Sequence, residues 1–276
     1  MPSTGVPAGI LSALSFGAGD FAGAVAARRA GALVVVAGAH GIGLIALLLA
    51  ALVLRPPLPD PGGILIGLTA GVAGAVGLAA LYRGMSLGSM GLVTALSGAG
   101  SLAIPLAVGA LLGAEASPVQ LLGVGFAAGA AVAASGASRD AIGRHALLLA
   151  GLAAVAFGAW YVLIDFAARA GDPLWALVFS RAASAGLTAV AAGRRLARGR
   201  FPIRLVAAAG LFDVGGNALY VVAREALPVS LAAALTGMYP VVTMLLARFV
   251  LGEHLPRLGQ LGVALALIGV LLISIG

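Results

Sequence analysis

The chain has 276 residues, of which 62% are hydrophobic and 9% charged, with a mean hydropathy of +1.14. A soluble chain carries roughly 25% charged residues, so this one has too few polar groups to clothe a wet surface, and the bilayer is its expected solvent. Cysteine is absent, which excludes disulfides, thiol chemistry and thiolate metal sites; the formal charge of +7 is all arginine on the basic side and sits mostly in short loops, so no nucleic-acid partner is expected.

In chain order, apolar runs of about 20 residues, the length that crosses the hydrocarbon, fall at 6–27, 32–54, 62–82, 88–112, 117–136, 146–168, 173–193, 203–224, 228–251 and 257–276. The opening MPSTGVPAGILSALSFGAGD has no basic stretch before its apolar run, so a cleaved signal peptide is not expected. The expected fold class is an all-α integral membrane protein of ten transmembrane helices. The connections are short, which leaves no room for a soluble domain. The many glycines (42) and alanines suit close approach of helices in lipid.

The sequence repeats. SFGAGDFAGAVAARRAGAL from Ser15 resembles AFGAWYVLIDFAARAGDPL from Ala156 at an offset of 141, and LLGAEASPVQLLGV from Leu111 resembles VLGEHLPRLGQLGV from Val250 at an offset of 139. Five spans fall in each copy, residues 1–136 and 146–276, joined by a loop over 137–145. An odd number of spans turns the second copy over, and inverted repeats of this kind are a feature of secondary transporters.

MYPVVTMLLARFVLGEHLPRLGQLGVALALIGVLLISIG, residues 238–276, resembles the end of an EamA-type repeat of the drug/metabolite transporter superfamily, through Pro240, Gly252, Glu253, Gln260 and Gly262. The first half matches more loosely: it has GAE at Gly113 to Glu115, Ser101 at the place of Pro240, and Pro105 one turn later. The resemblance implies a ten-helix carrier of small metabolites, often an exporter; it does not name a substrate.

A charge at the bilayer centre is costly, so those present face a cavity or a partner. Asp213, Asn217, Tyr220 and Arg224 are spaced four, three and four residues apart and form one polar stripe on the eighth span. Counting residues in from the span ends puts Asp20 level with His40, and Arg181 level with Asp213. The counting predicts an Asp20–His40 contact and an Arg181–Asp213 ion pair. Either pair can be structural. Acting in turnover, they would provide substrate contact through Arg181, Asp213 and Asn217, and proton coupling through Asp20, His40 and Asp213. Tyr82, Trp160, Tyr161, Tyr220 and Tyr239 are candidate cavity walls for an apolar or aromatic substrate. Asp165 and Arg169 read as a local surface pair. Arg224, Glu225 and Arg248 read as headgroup contacts, Glu115 and Glu253 as loop or helix-start residues. Ser97, Thr236 and Thr243 read as hydroxyls bonded to their own helices.

The three histidines lack ligand spacing, so no metal is expected, and no cofactor is implied. GAGD, Gly17 to Asp20, matches the pattern of intramembrane aspartyl proteases, but the preceding helix of that architecture is missing, so an enzyme is not expected. Ten apolar spans would also suit a passive channel, or a lipid or polyprenyl-phosphate flippase. The expected partners are a small-molecule substrate and the lipid bilayer, in a plasma (inner) membrane. Gly67/Gly71 and Gly125/Gly129 fit helix packing within one chain or across a homodimer, leaving monomer and dimer open.

Orientation is in conflict. Loops after odd-numbered spans carry Arg28, Arg29, Arg83, Arg139, Arg144, Arg194, Arg195, Arg198, Arg200, Arg204, Arg248 and Arg257, against Arg55, Arg169 and Arg224 on the other side. The positive-inside rule then puts both termini outside, whereas the family resemblance implies termini inside.

Overall fold

The computed structural model describes residues 2–111, 117–137, 143–198, 202–227, 232 and 235–275. Among these the regular structure is helical: α1 (Pro2–Ala30), α2 (Ala32–Leu54), α3 (Pro61–Leu87), α4 (Met90–Leu111), α5 (Pro118–Ala137), α6 (Arg144–Arg169), α7 (Pro173–Ala192), a short helical turn at Arg194–Arg198, α8 (Ile203–Ala226), α9 (Tyr239–Leu251) and α10 (Arg257–Ile275). Eight of the described helices are long and apolar enough to cross a membrane. The apolar stretches described for α5 and α9, Pro118–Ala130 and Tyr239–Leu251, are shorter. Glu115, Gly113, Arg139 and Arg200, with 138–142 of the connecting loop, lie outside the described residues.

Helix starts are built from local chemistry. Asp60 accepts from the Gly63 amide at 2.6 Å and Asp172 from the Leu174 amide at 2.8 Å, each ahead of a proline in the first turn. The carboxylates satisfy amides that the helix leaves bare, and proline has no amide to satisfy. Gly31, at φ +87°, lets α1 reverse into α2 across one residue. The buried side is made of small residues such as Ala24, Ala26 and Ala70, while Leu52, Val53, Val190 and Phe249 point outward. That inversion, with small residues inside and large apolar ones outside, suits lipid as the solvent.

One expectation fails at the ninth span. A turn at Gly237–Met238 separates helical Leu235 and Thr236 from α9, so the described chain is not one helix over 228–251; residues 228–231 and 233–234 lie outside the described set. Pro240 stands in the first turn of α9. In the middle of a longer helix it would lack an amide and its ring would meet the carbonyl four residues back.

The packing pairs exchange when each helix is replaced by the one five places along. The most extensive contacts are α1 with α8 and α3 with α6; α1 with α9 corresponds to α6 with α4, and α2 with α8 to α7 with α3. α2 with α7 and α5 with α10 map onto themselves. Single residues follow suit. A Cβ on Gly216 would stand 2.9 Å from the Phe16 ring, and one on Gly77 2.7 Å from the Phe157 ring. Gly210 faces the backbone of Ala39 as Gly71 faces that of Ser180, and Gly17 meets Tyr239 and Val242 as Gly158 meets Ser101 and Ile104. The Gly216/Gly77 and Gly210/Gly71 sets are related by the offsets of 141 and 139 seen in the sequence repeat; Gly17 and Gly158 are 141 apart, and their partners 138.

Candidate functional site

Two of these close glycine contacts flank the buried polar centre. Gly210 of α8 admits the backbone of Ala39, which delivers the next residue of α2, His40, between α7 and α8. Gly71 of α3 admits the carbonyl of Ser180, the residue before Arg181 on α7. His40 and Arg181 are 2% and 6% exposed.

Arg181 divides its donors among several acceptors. Nη1 donates to His40 Nε2 at 2.9 Å, and Nη2 donates to Asp213 Oδ2 in an ion pair. The buried Nε has no hydrogen-bond partner among the described residues. A guanidinium only donates, so His40 Nε2 must accept, and the ring proton sits on Nδ1. Nδ1 then donates to Ser184 Oγ. Thr188 Oγ1, one turn on, donates to the Ser184 carbonyl at 2.6 Å. The hydroxyls of Ser184 and Thr188 went unnoticed in the sequence, although the spacing 181, 184, 188 puts all three on one face of α7.

The expected Asp20–His40 contact is not formed. Both nitrogens of His40 are taken, by Arg181 and Ser184, so the ring has no atom left for a carboxylate. Asp20, half-buried on α1, instead lies near enough to Asp213 for the two carboxylates to repel. Among the described residues Asp20 has no ion-pair partner. With Asp213 neutralised by Arg181, Asp20 leaves the centre with one uncompensated negative charge when ionised.

Around the carboxylates stand the aromatics. Tyr82, Tyr161 and Tyr239 are all within electrostatic reach of Asp20. Tyr82 is buried, its ring lying against Gly23 of α1. Trp160 donates from Nε1 to Ser180 Oγ at 3.0 Å and meets Tyr161 edge-on at 5.3 Å between ring centroids; Gly74 of α3 leaves room for its indole. Tyr161, 40% exposed, and the Asp213 side chain, 27% accessible, keep free surface within this cluster. Tyr220 packs with Ala8, Ala223 and Leu227 and is close enough to Tyr161 to interact electrostatically. Asn217 donates to the Asp213 carbonyl of its own helix at 2.8 Å. The polar stripe on α8 is therefore divided: Asp213 reaches across to α7, while Asn217 turns back on its own backbone.

Other polar residues bind helices together. Ser12 donates to the Gly216 carbonyl at 2.8 Å and Ser15 to that of Phe212 at 2.7 Å, tying α1 to α8. Ser97, expected to bond its own helix, donates across to Ala150 at 3.2 Å. Thr243 reaches both Gly17 on α1 and its own Tyr239 carbonyl. The Thr236 hydroxyl is buried without a partner among the described residues. Glu253, read as a loop or helix-start residue, caps α4 from a distant part of the chain: it accepts from Ser89 Oγ and from the Met90 amide at 3.1 Å. Asp165 and Arg169 form the exposed surface pair at 2.8 Å. Gly17 and Gly19 of the GAGD run are accounted for by contact with α9 and α8.

Helices of this length and apolarity, packed through small residues around a few buried charges, define a multi-pass membrane protein. Residues 144–275 match the model of the EamA-like transporter family, a family of the drug/metabolite transporter superfamily. A crystal structure of another protein, 19% identical in sequence, aligns over 98% of this chain and 96% of its own with a TM-score of 0.60, so the two share a fold. No curated protein matches the chain in sequence.

Proposed function

We propose that the chain is a ten-helix secondary transporter of two inverted five-helix repeats in the plasma membrane. It exports a small metabolite or drug-like compound by alternating access. The exchange of packing partners between the halves supports the repeat, and inverted repeats rock about a site at their interface. The observation that carries the functional reading is the Arg181–Asp213 pair, with Asp20, which has no ion-pair partner among the described residues, beside it and aromatic surface around it. An ion pair buried in lipid-spanning helices contributes little net stability for its desolvation cost, and intramembrane charges mark pathways for ions and substrates.

In this scheme a substrate acceptor group competes with Asp213 for Arg181, whose Nε has no hydrogen-bond partner among the described residues. Tyr161 and Trp160 form the wall for the apolar part. Protons enter through Asp20 and Asp213. His40 has a different role from the proton carrier inferred from its sequence, because protonating Nε2 would set a donor against the Arg181 guanidinium. The test is uptake into proteoliposomes of amino acids, nucleosides, sugars and cationic drugs, with and without an imposed pH gradient. Saturable flux of one class, accelerated by the gradient, supports a coupled carrier. Flux that rises without saturation and ignores the gradient would make the protein a channel.

A further inference from the structure

The helix ends sort into two faces, one of them rich in arginine. Arg28 of α1 donates to the Met85 carbonyl near the end of α3 at 3.3 Å, and Glu253 after α9 accepts from the first amide of α4, so these ends meet at one face. Arg83, Arg144, Arg194 and Arg195 stand at helix ends on the same face. Asp60 and Asp172 cap helices at the opposite one.

On the arginine-rich face a groove of about 690 Å³ opens between α3, α6 and α7, beside the α1–α2 junction. That volume falls within the roughly 300–1,000 Å³ of small-molecule sites. Its rim carries Arg83 and Arg195, both exposed and without an acidic partner among the described residues. Its walls are Val76, Leu149, Leu152 and Leu187. Val76 lies seven residues before Arg83 and Leu187 eight before Arg195. Along α3, at about 1.5 Å per residue, Val76 lies about 10 Å deeper than Arg83, and Leu187 lies on α7 below the break at Gly193 that precedes Arg195. Val76, Leu152 and Leu187 remain accessible from outside the bundle.

The geometry points to a specific site for an anionic phospholipid: its phosphate bridges Arg83 and Arg195, and one acyl chain lies along the leucine wall. Guanidinium groups match phosphate oxygens in charge and shape. Basic pockets between helices at a charged leaflet hold anionic headgroups. The apolar depth beneath the arginines distinguishes this occupant from a soluble phosphate, which would leave the walls uncovered. The site lies apart from the Arg181 centre and does not depend on what is transported.

The test is thermal unfolding of the purified protein in neutral detergent, titrated with phosphatidylglycerol, phosphatidylcholine or glycerol phosphate, with native mass spectrometry counting retained lipids. Phosphatidylglycerol is expected to raise Tm saturably by several degrees and to remain bound, with little response to the other two. The double variant Arg83→Gln/Arg195→Gln should bind phosphatidylglycerol about 30-fold more weakly. Leu152→Trp, which fills the groove and keeps both arginines, should also lose the response. Arg257→Gln, a charge removed elsewhere on the same face, should keep it. Every variant is first shown to unfold cooperatively without lipid, and Val76→Trp replaces Leu152→Trp if that chain fails. Three results would overturn the site: equal response to phosphatidylcholine, full stabilisation by glycerol phosphate alone, or unchanged phosphatidylglycerol affinity in both kinds of variant.

Discussion

His40 and Arg181, 141 residues apart and so equivalent in the proposed two-repeat architecture, touch each other, Nε2 to Nη1 at 2.9 Å. Two equivalent residues of a duplicated fold meet only where the relating axis passes between them, so this bond marks the centre of the bundle. The two residues differ in role: a neutral ring accepts and a cation donates. Replacing His40 with Ala removes the acceptor from a buried guanidinium and should cost about 1–3 kcal/mol. Replacing it with Gln, whose carbonyl can accept, should recover part of that. Thermal unfolding of the two variants in detergent measures the difference; equal losses would mean the hydrogen bond contributes nothing beyond packing.

The ion pair makes a second, separable prediction. Asp213→Ala leaves Arg181 without its counter-charge and should destabilise by about 3 kcal/mol, toward the lower end for a broken buried pair because the carboxylate is partly accessible. Adding Arg181→Met to that variant removes the stranded charge and should restore much of the loss. A double-mutant cycle on unfolding free energies checks this; additive losses would show that the two side chains are not coupled.

The paired glycine–phenylalanine contacts are testable by rescue. Gly216→Ala and Gly77→Ala each push a methyl group to within 3 Å of a phenylalanine ring, Phe16 and Phe157 respectively. Each should cost about 1–3 kcal/mol through overpacking. Phe16→Leu should relieve the first alone and Phe157→Leu the second alone. Melting temperatures of the four combinations decide the matter, and rescue by the wrong partner would contradict the paired geometry.

Glu253 offers a control away from the polar centre. Its carboxylate caps α4 through Ser89 and the Met90 amide, so Glu253→Ala should lower stability by about 0.5–2 kcal/mol. Substrate affinity, read as KM in the flux assay, should not move. A changed KM with unchanged stability would transfer Glu253 from the scaffold to the transport path.

Much of this organisation is legible in one sequence because lipid imposes a simple rule: apolar length counts spans, and a polar side chain inside one needs a partner. The span ends are marked by Asp60–Pro61 and Asp172–Pro173, and the repeat offsets reappear as paired glycine contacts. Residue counting gives depth, which is why Arg181 could be set against Asp213. Depth carries no information on the direction a side chain faces, and so the same counting set Asp20 against His40, whose ring turns to α7 instead. The Glu253 cap joins residues 163 apart through a loop, a contact no local pattern announces. The turn before α9 is foreshadowed by Gly237 and Pro240, but an apolar run masks a break when only hydropathy is followed.

The most direct measurement compares initial uptake rates of the transported compound in proteoliposomes holding the wild-type chain, Arg181→Ala or Asp213→Asn, with insertion and folding of each variant verified first. If the Arg181–Asp213 centre binds the substrate, saturable flux is lost in both variants while their spectra and reconstitution stay as in the wild type. Saturable flux at the wild-type rate and KM in both well-folded variants would contradict it and make the pair a structural tie between α7 and α8.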